Sequence, residues 1–327
     1  MISRLEAGSL AVVFGGSGFV GRHTVAALAK RGWRVRAAVR RPHLAGHLQP
    51  LGAAGQIYAV QANLRYPDSV ARAVQGAEAV VNAVGVLTPV GAQTFGAVHV
   101  DGARAIAKAA REAGAKCLVH VSALGAERYS PASYARSKAE GEAAVFEEFP
   151  DAVVLRPSIV FGPEDEFFNR FAALATRSPF LPLIGGGRSK FQPVFVGDLA
   201  EAIFTACEGN AKRGTIYEIG GPEILTLRQI LDKTQEWVDR KRLYFPMPFW
   251  YAKLVAAFTW PFPAGLRPIT IDQVRMLQTD NIVSEAAKKE NRTLAGLGIA
   301  HPHAVETIVP SYLERFRPRG QYSRYRG

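Results

Sequence analysis

Cysteine and long apolar runs are both scarce in this sequence. Only 2 of the 327 residues are cysteines, Cys117 and Cys207, so a disulfide framework is not expected and a reducing compartment is predicted. No run of about 18 uninterrupted apolar residues occurs, and the apolar segment 10–14 is too short for the core of a signal peptide. We therefore expect a protein of the cytoplasmic side, either soluble or peripheral to a membrane.

Positive charge is concentrated at the two ends of the chain. The net charge is +12; residues 1–42 carry eight Lys or Arg and one acidic residue, and residues 311–327 carry five Arg and one acidic residue. The middle of the chain is nearly neutral. Two basic ends predict anionic ligands or partners, a phosphate group at the first and a lipid or protein surface at the second. For any single arginine, the alternative is that its side chain is simply exposed to solvent and binds no anionic ligand or partner.

Short apolar stretches alternate with amphipathic ones from residue 10 to residue 156. Hydrophobic residues make up 48% of the chain, enough for a large core. The alternation predicts an α/β fold with a doubly wound parallel Rossmann sheet. The predicted strands are 10–14, 34–39, 57–60, 77–82, 117–122 and 153–156.

The alternation ends after Pro157, where clusters of Gly and Pro separate isolated helices and one strand, predicted at 215–219. We predict a nucleotide-binding domain at residues 1–156 and a smaller, mixed C-terminal lobe at 157–327, which can exchange elements with the sheet. Thr226 is predicted to cap a helix that runs through about Val238.

A glycine-rich turn follows the first predicted strand and leads into a helix that ends near Lys30. Glycines at 15, 18 and 21 allow a tight turn, close approach of a pyrophosphate and close packing of helix on sheet. The predicted pyrophosphate contacts are Gly15, Ser17, Gly18, Phe19, Val20 and Gly21. A merely glycine-rich turn is the alternative. The GxxGxxG spacing resembles that of extended and atypical short-chain dehydrogenases.

Two arginines follow the second predicted strand, at a position where NAD-binding Rossmann proteins carry an acidic residue. A carboxylate there would repel a 2′-phosphate, whereas the guanidinium groups of Arg40 and Arg41 would attract it and bind it through paired donors. The sequence therefore predicts NADP(H) as the cofactor. Arg22 is a weaker candidate for the same phosphate, since it is equally explained as an exposed helix charge.

A nominal catalytic set lies at the end of the fifth predicted strand. Ser122 is followed twelve residues later by Tyr134, and Lys138 lies one helical turn beyond. On one helix face the ammonium is expected to lower the pKa of the phenol and to hold the ribose. Tyr134 would then act as general acid/base while Ser122 orients a substrate carbonyl. The alternative is that Tyr134 and Lys138 only bind the cofactor, without turnover.

The resemblance to short-chain dehydrogenases implies further cofactor contacts in the turns after three strands. The turn 82–85 resembles the one that flanks the cofactor after the fourth strand, and 156–163 resembles the one that faces the nicotinamide carboxamide. The additional cofactor residues implied are Asn63, Leu64, Ala83, Val84, Gly85, Pro157 and Ile159. No metal site is predicted.

Longer runs resemble one branch of this superfamily, the short-chain-dehydrogenase-like accessory subunit of respiratory complex I (NADH:ubiquinone oxidoreductase) and its alphaproteobacterial relatives. The runs are 15–25 (GGSGFVGRHTV), 134–142 (YARSKAEGE), 155–171 (LRPSIVFGPEDEFFNRF), 192–203 (QPVFVGDLAEAI) and 271–283 (IDQVRMLQTDNIV).

The resemblance implies a tightly held NADPH that is not turned over. It also implies a peripheral position near the junction of the hydrophilic arm and the membrane, against hydrophilic-arm and quinone-site subunits. The location would be the cytoplasmic side of the bacterial inner membrane, or the matrix side in a mature organellar protein. No nucleic-acid partner is implied.

An aromatic and apolar segment at 244–264 is compatible with that position. Its prolines at 246, 248, 261 and 263 exclude a spanning helix. Trp250, Tyr251 and Trp260 are suited to a lipid headgroup layer or to the surface of a membrane subunit. The alternative is a core helix with buried aromatics. The basic tail at 311–327 favours the interface.

Other functions remain open at this point. The nominal set of Ser122, Tyr134 and Lys138 is compatible with a free NADP-dependent oxidoreductase, or with a nucleotide-sugar epimerase or dehydratase. A nucleotide-sugar would need cationic groups in the second lobe, where Arg188 and Lys190 are candidates. A regulator that senses the redox state of NADP, without catalysis, is a third hypothesis.

Overall fold

The described part of the chain, residues 7–259 and 269–318 of a computed structural model, divides into two units. The first comprises 7–157, 196–219 and 284–300, and the second comprises the described residues of 158–195, 220–283 and 301–318. Two later segments therefore join the predicted nucleotide-binding domain. Of the predicted aromatic segment and basic tail, residues 260–264 and 319–327 lie outside the described residues.

The strands and helices alternate as the sequence predicts. The strands are β1 (Leu10–Phe14), β2 (Arg34–Val39), β3 (Ile57–Gln61), β4 (Ala79–Asn82), β5 (Cys117–Val121), β6 (Val153–Pro157), β7 (Val160–Phe161), β8 (Phe180–Ile184), β9 (Lys190–Phe191), β10 (Val194–Phe195), β11 (Thr215–Ile219), β12 (Leu225–Thr226) and β13 (Leu243–Met247). The helices are α1 (Phe19–Lys30), α2 (Pro67–Val74), α3 (Gly102–Glu112), α4 (Ser133–Glu148), α5 (Phe168–Arg177), α6 (Val196–Cys207), α7 (Leu227–Trp237), α8 (Phe249–Phe258), α9 (Ile271–Met276), α10 (Glu285–Lys289) and α11 (Val305–Leu313).

A seven-stranded sheet of order β3-β2-β1-β4-β5-β6-β11 forms the centre of the first unit, and its pairings are parallel. Because strand order reverses between β1 and β4, the predicted doubly wound Rossmann class is confirmed. The strands read as continuous apolar runs because both faces are covered: all four residues of β4 are buried.

Helices cover the two faces of this sheet in two groups. On one face α1 and α6 pack together, joined by the ion pair of Arg31 and Glu201. On the other, α3 lies between α2 and α4, and their apolar side chains form one core cluster with residues of β1, β4 and β5. The alternation along β5 therefore directs Leu118 toward α3 and α4, and Cys117 toward α6.

The strand predicted at 215–219 forms as expected but belongs to the main sheet. As β11 it pairs with β6, with Tyr217 opposite Leu155, and it forms the edge strand. The sequence pattern identified the strand but not its partner, because strand pairing depends on contacts between residues far apart in sequence.

The second unit has its own core, centred on Phe161, Phe168 and Leu231. Its strands form mixed two-stranded pairs: β7 with β10 and β8 with β13 are parallel, and β9 with β12 is antiparallel. The predicted cap at Thr226 is confirmed as a capping box with Gln229 at the start of α7. Within the described ranges, no helix is both long and apolar enough to cross a membrane.

Candidate cofactor-binding and active site

The glycine-rich turn draws together the carboxyl ends of three central strands. Gly15 has φ of 75°, in the left-handed region, and a Cβ there would lie 3.1 Å from the Ala83 carbonyl oxygen. The Gly15 N–H donates to the Ala38 carbonyl (3.0 Å), and the Ala83 N–H donates to that of Phe14 (3.0 Å). The turn therefore lies where the strand order reverses, the edge at which doubly wound sheets bind nucleotides.

The three glycines of the motif have different surroundings. A Cβ on Gly21 would lie 2.1 Å from the Gly15 carbonyl oxygen, so this position must stay bare for α1 to pack against the turn. Gly18 caps α1 and is exposed, and a Cβ there would meet only the Gly15 oxygen, at 3.2 Å. The first turn of α1 contains no acidic residue. The open Gly18 and the amides that begin α1 thus suit an anionic pyrophosphate.

Arginines lie on two sides of this turn. Arg22 folds back onto it, with its guanidinium 3.3 Å from the carbonyl oxygens of both Gly18 and Ser17. Arg40 and Arg41 follow β2 and are exposed, and in the part of the chain that the structure describes neither guanidinium has a hydrogen-bond or ion-pair partner. Both are therefore available to an anionic ligand at the end of β2.

The other predicted cofactor residues lie at strand ends. After β3, Asn63 accepts from the Arg65 N–H (3.2 Å), and Leu64 approaches the start of α3 at Gly102. Phe19 and Val20 open α1, and Val84 follows β4. Pro157 ends β6 in the first unit. Ile159 belongs to the second unit, where its carbonyl accepts from the Val194 N–H (2.9 Å).

Tyr134 and Lys138 occupy successive turns of α4. Lys138 is buried and its ammonium donates to the Val121 carbonyl (3.2 Å) at the end of β5. A Cβ on Gly85 would lie 3.4 Å from that ammonium nitrogen. The structure therefore brings the turn after β4 and the YxxxK helix to one place, as a shared dinucleotide site requires.

The expected lowering of the Tyr134 pKa does not occur. Burial raises the pKa of Tyr134 to about 12, and burial lowers the pKa of Lys138 to about 8, against the opposing effect of Glu142. The expectation was wrong because it assumed two hydrated groups, whereas in the folded protein loss of hydration favours the neutral form of each. At neutral pH the phenol is therefore protonated.

The hydroxyl of Ser122 is hydrogen-bonded in the interior of the protein. Its hydroxyl donates to Glu142 in a short hydrogen bond, and Arg156 donates to both oxygens of the same carboxylate, at 2.8 and 2.5 Å. Ser122 and Glu142 are both buried. Ser122 continues the alternation of β5 toward α4, which directs its hydroxyl to Glu142. Its role toward a substrate carbonyl stays a prediction.

Sequence reasoning missed a second buried network beside Tyr134. His99 Nε2 accepts from the Val86 N–H (3.0 Å), which leaves the proton on Nδ1 to donate to Ser137 Oγ (2.9 Å). Ser137 in turn donates to the Tyr134 carbonyl (2.8 Å). Burial lowers the pKa of His99 to about 3, so the ring is neutral. No motif marks His99, whereas the spacing of Lys138 and Glu142 on one helix face was a usable signal.

Asn82 and His120 form a matching pair at the ends of β4 and β5. Asn82 accepts from the Val84 N–H (3.1 Å) and donates to His120 Nδ1 (3.0 Å). Burial lowers the pKa of His120 to about 3. This neutral pair fixes the turn after β4 that borders the candidate site.

Family and structure comparisons agree with this arrangement. Residues 11–220 match the model of the NAD dependent epimerase/dehydratase family, and the chain belongs to that family, whose cofactor is a nicotinamide dinucleotide. A NADPH-dependent quinone oxidoreductase from Escherichia coli has the same fold (TM-score 0.71, 21% identity, 93% of this chain and 99% of that one). So does a UDP-glucuronic acid 4-epimerase from Bacillus cereus (TM-score 0.69, 17% identity, 94% and 99%).

Within that family the chain is a relative of complex I subunits, which confirms the predicted resemblance. It is 33% identical to the Arabidopsis thaliana mitochondrial NADH dehydrogenase [ubiquinone] 1 alpha subcomplex subunit 9 over 96% of this chain and 79% of that protein. The mouse subunit of the same name is 34% identical (95% and 85%). A ceramide reductase from Caulobacter vibrioides is 36% identical over 62% of each chain. The alphaproteobacterial type stays a prediction.

Replacing Gly18 should separate cofactor binding from folding. Gly18→Val adds its branched side chain at the exposed mouth of the turn, so we expect NADPH affinity to fall at least about tenfold. The unfolding free energy of the cofactor-free protein should change by only about 1 kcal/mol or less. Calorimetric titration and denaturant unfolding measure the two effects. Gly21→Ala is the contrasting variant, expected to destabilise the fold by ~1–3 kcal/mol or more. Stoichiometric NADPH on purified Gly18→Val would show that the turn is misassigned.

The buried ammonium of Lys138 predicts a pH-dependent stability. Between pH 8 and 10.5 the unfolded chain keeps the Lys138 proton, whereas the folded, cofactor-free protein releases it. The wild type should therefore gain unfolding free energy with rising pH relative to Lys138→Met, by up to ~1.4 kcal/mol per pH unit. Urea unfolding across this range measures the difference. Lys108→Met removes an exposed lysine and should show no such trend; a flat difference for Lys138→Met would contradict the assignment.

Proposed function

We propose that this protein is an NADP(H)-binding accessory subunit of respiratory complex I, whose cofactor is structural rather than turned over. The observation that carries the proposal is that Glu142 engages the Ser122 hydroxyl, although the glycine turn after β1 is open to a pyrophosphate at Gly18. The chain thus keeps the glycine turn that would bind a dinucleotide. Ser122 of the nominal catalytic set is instead hydrogen-bonded to the carboxylate of a buried ion pair. The similarity to complex I subunits is the reason for proposing that the protein belongs to that complex.

The choice of NADP(H) over NAD(H) depends on the end of β2. Arg40 and Arg41 place two cationic groups there, and no acidic residue lies between residues 7 and 67. A guanidinium can donate two parallel hydrogen bonds to a phosphate, and its charge favours the extra phosphate of NADP(H). Gly15, Ser17 and Gly18 would hold the pyrophosphate, and Tyr134 and Lys138 would hold the ribose.

A structural cofactor has a definite physical role. A ligand that binds only the folded state adds stability in proportion to the logarithm of its concentration over the dissociation constant. This contribution needs no chemistry at the nicotinamide, whose hydride-transfer capacity defines the reaction of active relatives. A protonated Tyr134, with its pKa raised to about 12, is compatible with such a passive role.

The docking face of the second unit is formed by β13, the adjacent start of β8 and the outer side of α8. Trp250 is 65% exposed and Phe258 is 80% exposed. These values argue against the alternative, a core helix with buried aromatic side chains. The other exposed apolar side chains of this face are Phe180, Leu243, Phe245, Tyr251 and Leu254. An apolar surface of this extent indicates a partner.

The inner side of α8 is anchored, so the exposed side is held in place. The Phe249 ring rests on Gly185, where a Cβ would come within 2.2 Å of it. Ala252 is buried with Ile184 and Val274 in a separate small cluster. The helix therefore presents its aromatic residues from a fixed base rather than from a loose loop.

The charge of the chain segment that forms most of this face favours an anionic lipid surface as its occupant. Residues 240–259 contain four basic residues and no acidic one. Tryptophan and tyrosine beside cationic groups are characteristic of segments that lie in the headgroup layer. We infer that the face rests on the membrane at the base of the hydrophilic arm, beside the quinone-site subunits. This is the cytoplasmic side of a bacterial inner membrane, or the matrix side in an organelle.

A second candidate function is a reductase for a lipid-like carbonyl compound. Leu87, Val90 and Tyr129 are exposed in the loops that follow β4 and β5, and the Phe95 ring lies 5.9 Å from that of Tyr134. An apolar rim of this kind favours a long-chain substrate over a nucleotide-sugar. The relative named ceramide reductase supports it. NADPH oxidation by a long-chain ketone that is lost in Tyr134→Phe would establish this activity.

Loss of the arginines after β2 should affect NADPH selectively. Losing a charged hydrogen bond costs ~1.5–3 kcal/mol, so Arg40→Ala should weaken NADPH binding about tenfold or more and leave NADH binding unchanged. Titration of both nucleotides measures the difference. Arg72→Ala removes an equal charge from an exposed position on α2 and should change neither affinity. An equal loss for NADPH and NADH in Arg40→Ala would remove the argument for NADP(H).

Assembly of complex I in membranes tests the proposed role. Tyr134→Phe removes the acid/base hydroxyl and keeps the ring, so the amount of assembled complex and its quinone reduction should be nearly unchanged. The double variant Arg40→Ala with Arg41→Ala should lose bound NADPH and lower subunit incorporation. Native electrophoresis and nucleotide extraction measure both. If Tyr134→Phe is the more damaging variant and still retains NADPH, the structural role fails and the reductase becomes the better account.

The docking face can be tested in the same assembly experiment with two double variants, one on the face and one elsewhere on the surface. Trp250→Ser with Phe258→Ser should lower incorporation and weaken binding to vesicles that contain phosphatidylglycerol. Leu44→Ser with Tyr66→Ser removes residues that are 61% and 60% exposed elsewhere, and should change neither. Equal binding of wild type to neutral phosphatidylcholine vesicles would contradict an anionic lipid surface.

A further inference from the structure

The two cysteines of the chain, far apart in sequence, lie against each other in the first unit. Cys117 begins β5 and Cys207 ends α6. The Cys117 Sγ lies 3.3 Å from the carbonyl oxygen of Ala206, the residue before Cys207. The neighbouring Cys117 thiol and burial both raise the pKa of Cys207.

Solvent reaches the two thiols differently. Cys117 is half-buried, whereas Cys207 is completely buried. Both belong to elements held by other contacts, since β5 pairs with β4 and β6 while α6 packs on α1. An oxidant from solution therefore meets Cys117 first, and the second thiol of the chain, Cys207, follows the residue whose carbonyl Cys117 Sγ approaches.

We propose that Cys117 and Cys207 are a peroxide-responsive pair, which forms a reversible disulfide that ties β5 to α6. The ordinary state in a reducing compartment is the dithiol seen in the structure. The modification is independent of the cofactor turn and of the docking face, so it would hold whether or not the proposed function is right.

Hydrogen peroxide is the oxidant in the proposed reaction. The Cys117 sulfur attacks one peroxide oxygen, forming an S–O bond and breaking the O–O bond; water leaves with the thiol proton, and a sulfenic acid remains. The Cys207 sulfur then attacks the Cys117 sulfur, forming the S–S bond and expelling the second water. Two thiols lose two electrons and two protons, and one peroxide becomes two waters. A dithiol reductant reverses the step.

The disulfide would join two elements separated by a long stretch of chain. Such a link restricts the unfolded ensemble more than the folded one, so the oxidised protein should unfold at a higher temperature. Because Cys117 Sγ already lies against the carbonyl of Ala206, the residue before Cys207, little movement of β5 or α6 is needed to form it. The expected result is a stabilised first unit with the same sheet.

The test treats the purified full chain with hydrogen peroxide and maps peptides without reduction. Wild type should lose the mass of two hydrogen atoms, yield a peptide pair linked through Cys117 and Cys207, and melt at a higher temperature until dithiothreitol is added. Cys207→Ser should accumulate a sulfenic acid at Cys117 that dimedone captures. Cys117→Ser should stay unmodified while folded.

Peptide mapping of wild type decides the proposal even if a variant folds poorly. Oxygen addition to either sulfur without a linked pair, or linkage only between separate chains, would overturn it. Rapid oxidation of Cys207 in folded Cys117→Ser would overturn the assigned order of reaction. Circular dichroism of each variant before treatment verifies that the folded protein is being compared.

Discussion

The buried carboxylate of Glu142 constrains the candidate site more than any other group. A charge removed from water is costly unless it is paired and hydrogen-bonded, and Glu142 meets this requirement with Arg156 and the Ser122 hydroxyl. Pairing fixes the end of β6 against α4 and withdraws the serine from the surface. The same carboxylate lies one turn beyond Lys138 and favours its charged form, against the desolvation that lowers its pKa. One ion pair thus engages the Ser122 hydroxyl and partly offsets the effect of burial on Lys138, two residues that the sequence suggests as catalytic.

The glycine turn is governed by a different constraint, which acts on the backbone. Gly15 needs a left-handed conformation beside Ala83, and Gly21 must be bare for α1 to reach the turn. Of the three motif glycines, only Gly18 would place a Cβ near a single protein atom, the Gly15 carbonyl oxygen at 3.2 Å. Binding capacity and catalytic competence therefore depend on separate physical features, and a chain can retain the first while its side chains commit the second to a buried network. This separation is why kinship with dehydrogenases does not by itself establish turnover.

Much of the fold was predictable because it depends on local patterns. β1 and β2 begin and end at the predicted residues, and Thr226 was predicted from its residue type to cap a helix, as it does. Prediction failed where distant contacts decide. The strand at 215–219 gave no indication of its partner, and Ser122 gave no indication that its hydroxyl would donate to Glu142, which Arg156 holds. The pKa of Tyr134 depends on burial by residues such as Phe95 and His99, which no motif connects to it.

The aromatic segment is another case in which the sequence alone could not decide between two structures. Composition at 244–264 was equally compatible with a core helix and with an interface, because both require apolar residues. The distinction comes from which side of α8 is filled: the small Ala252 is buried with Ile184 and Val274, and of the aromatics only Phe249 packs there, whereas the large Trp250 and Phe258 face outward. A core helix would invert that order, since burying the largest side chains gives the greatest hydrophobic stabilisation. The exposure of these aromatic residues is the observation behind the proposed docking face, and the basic residues of the same segment are the reason for proposing an anionic membrane surface there.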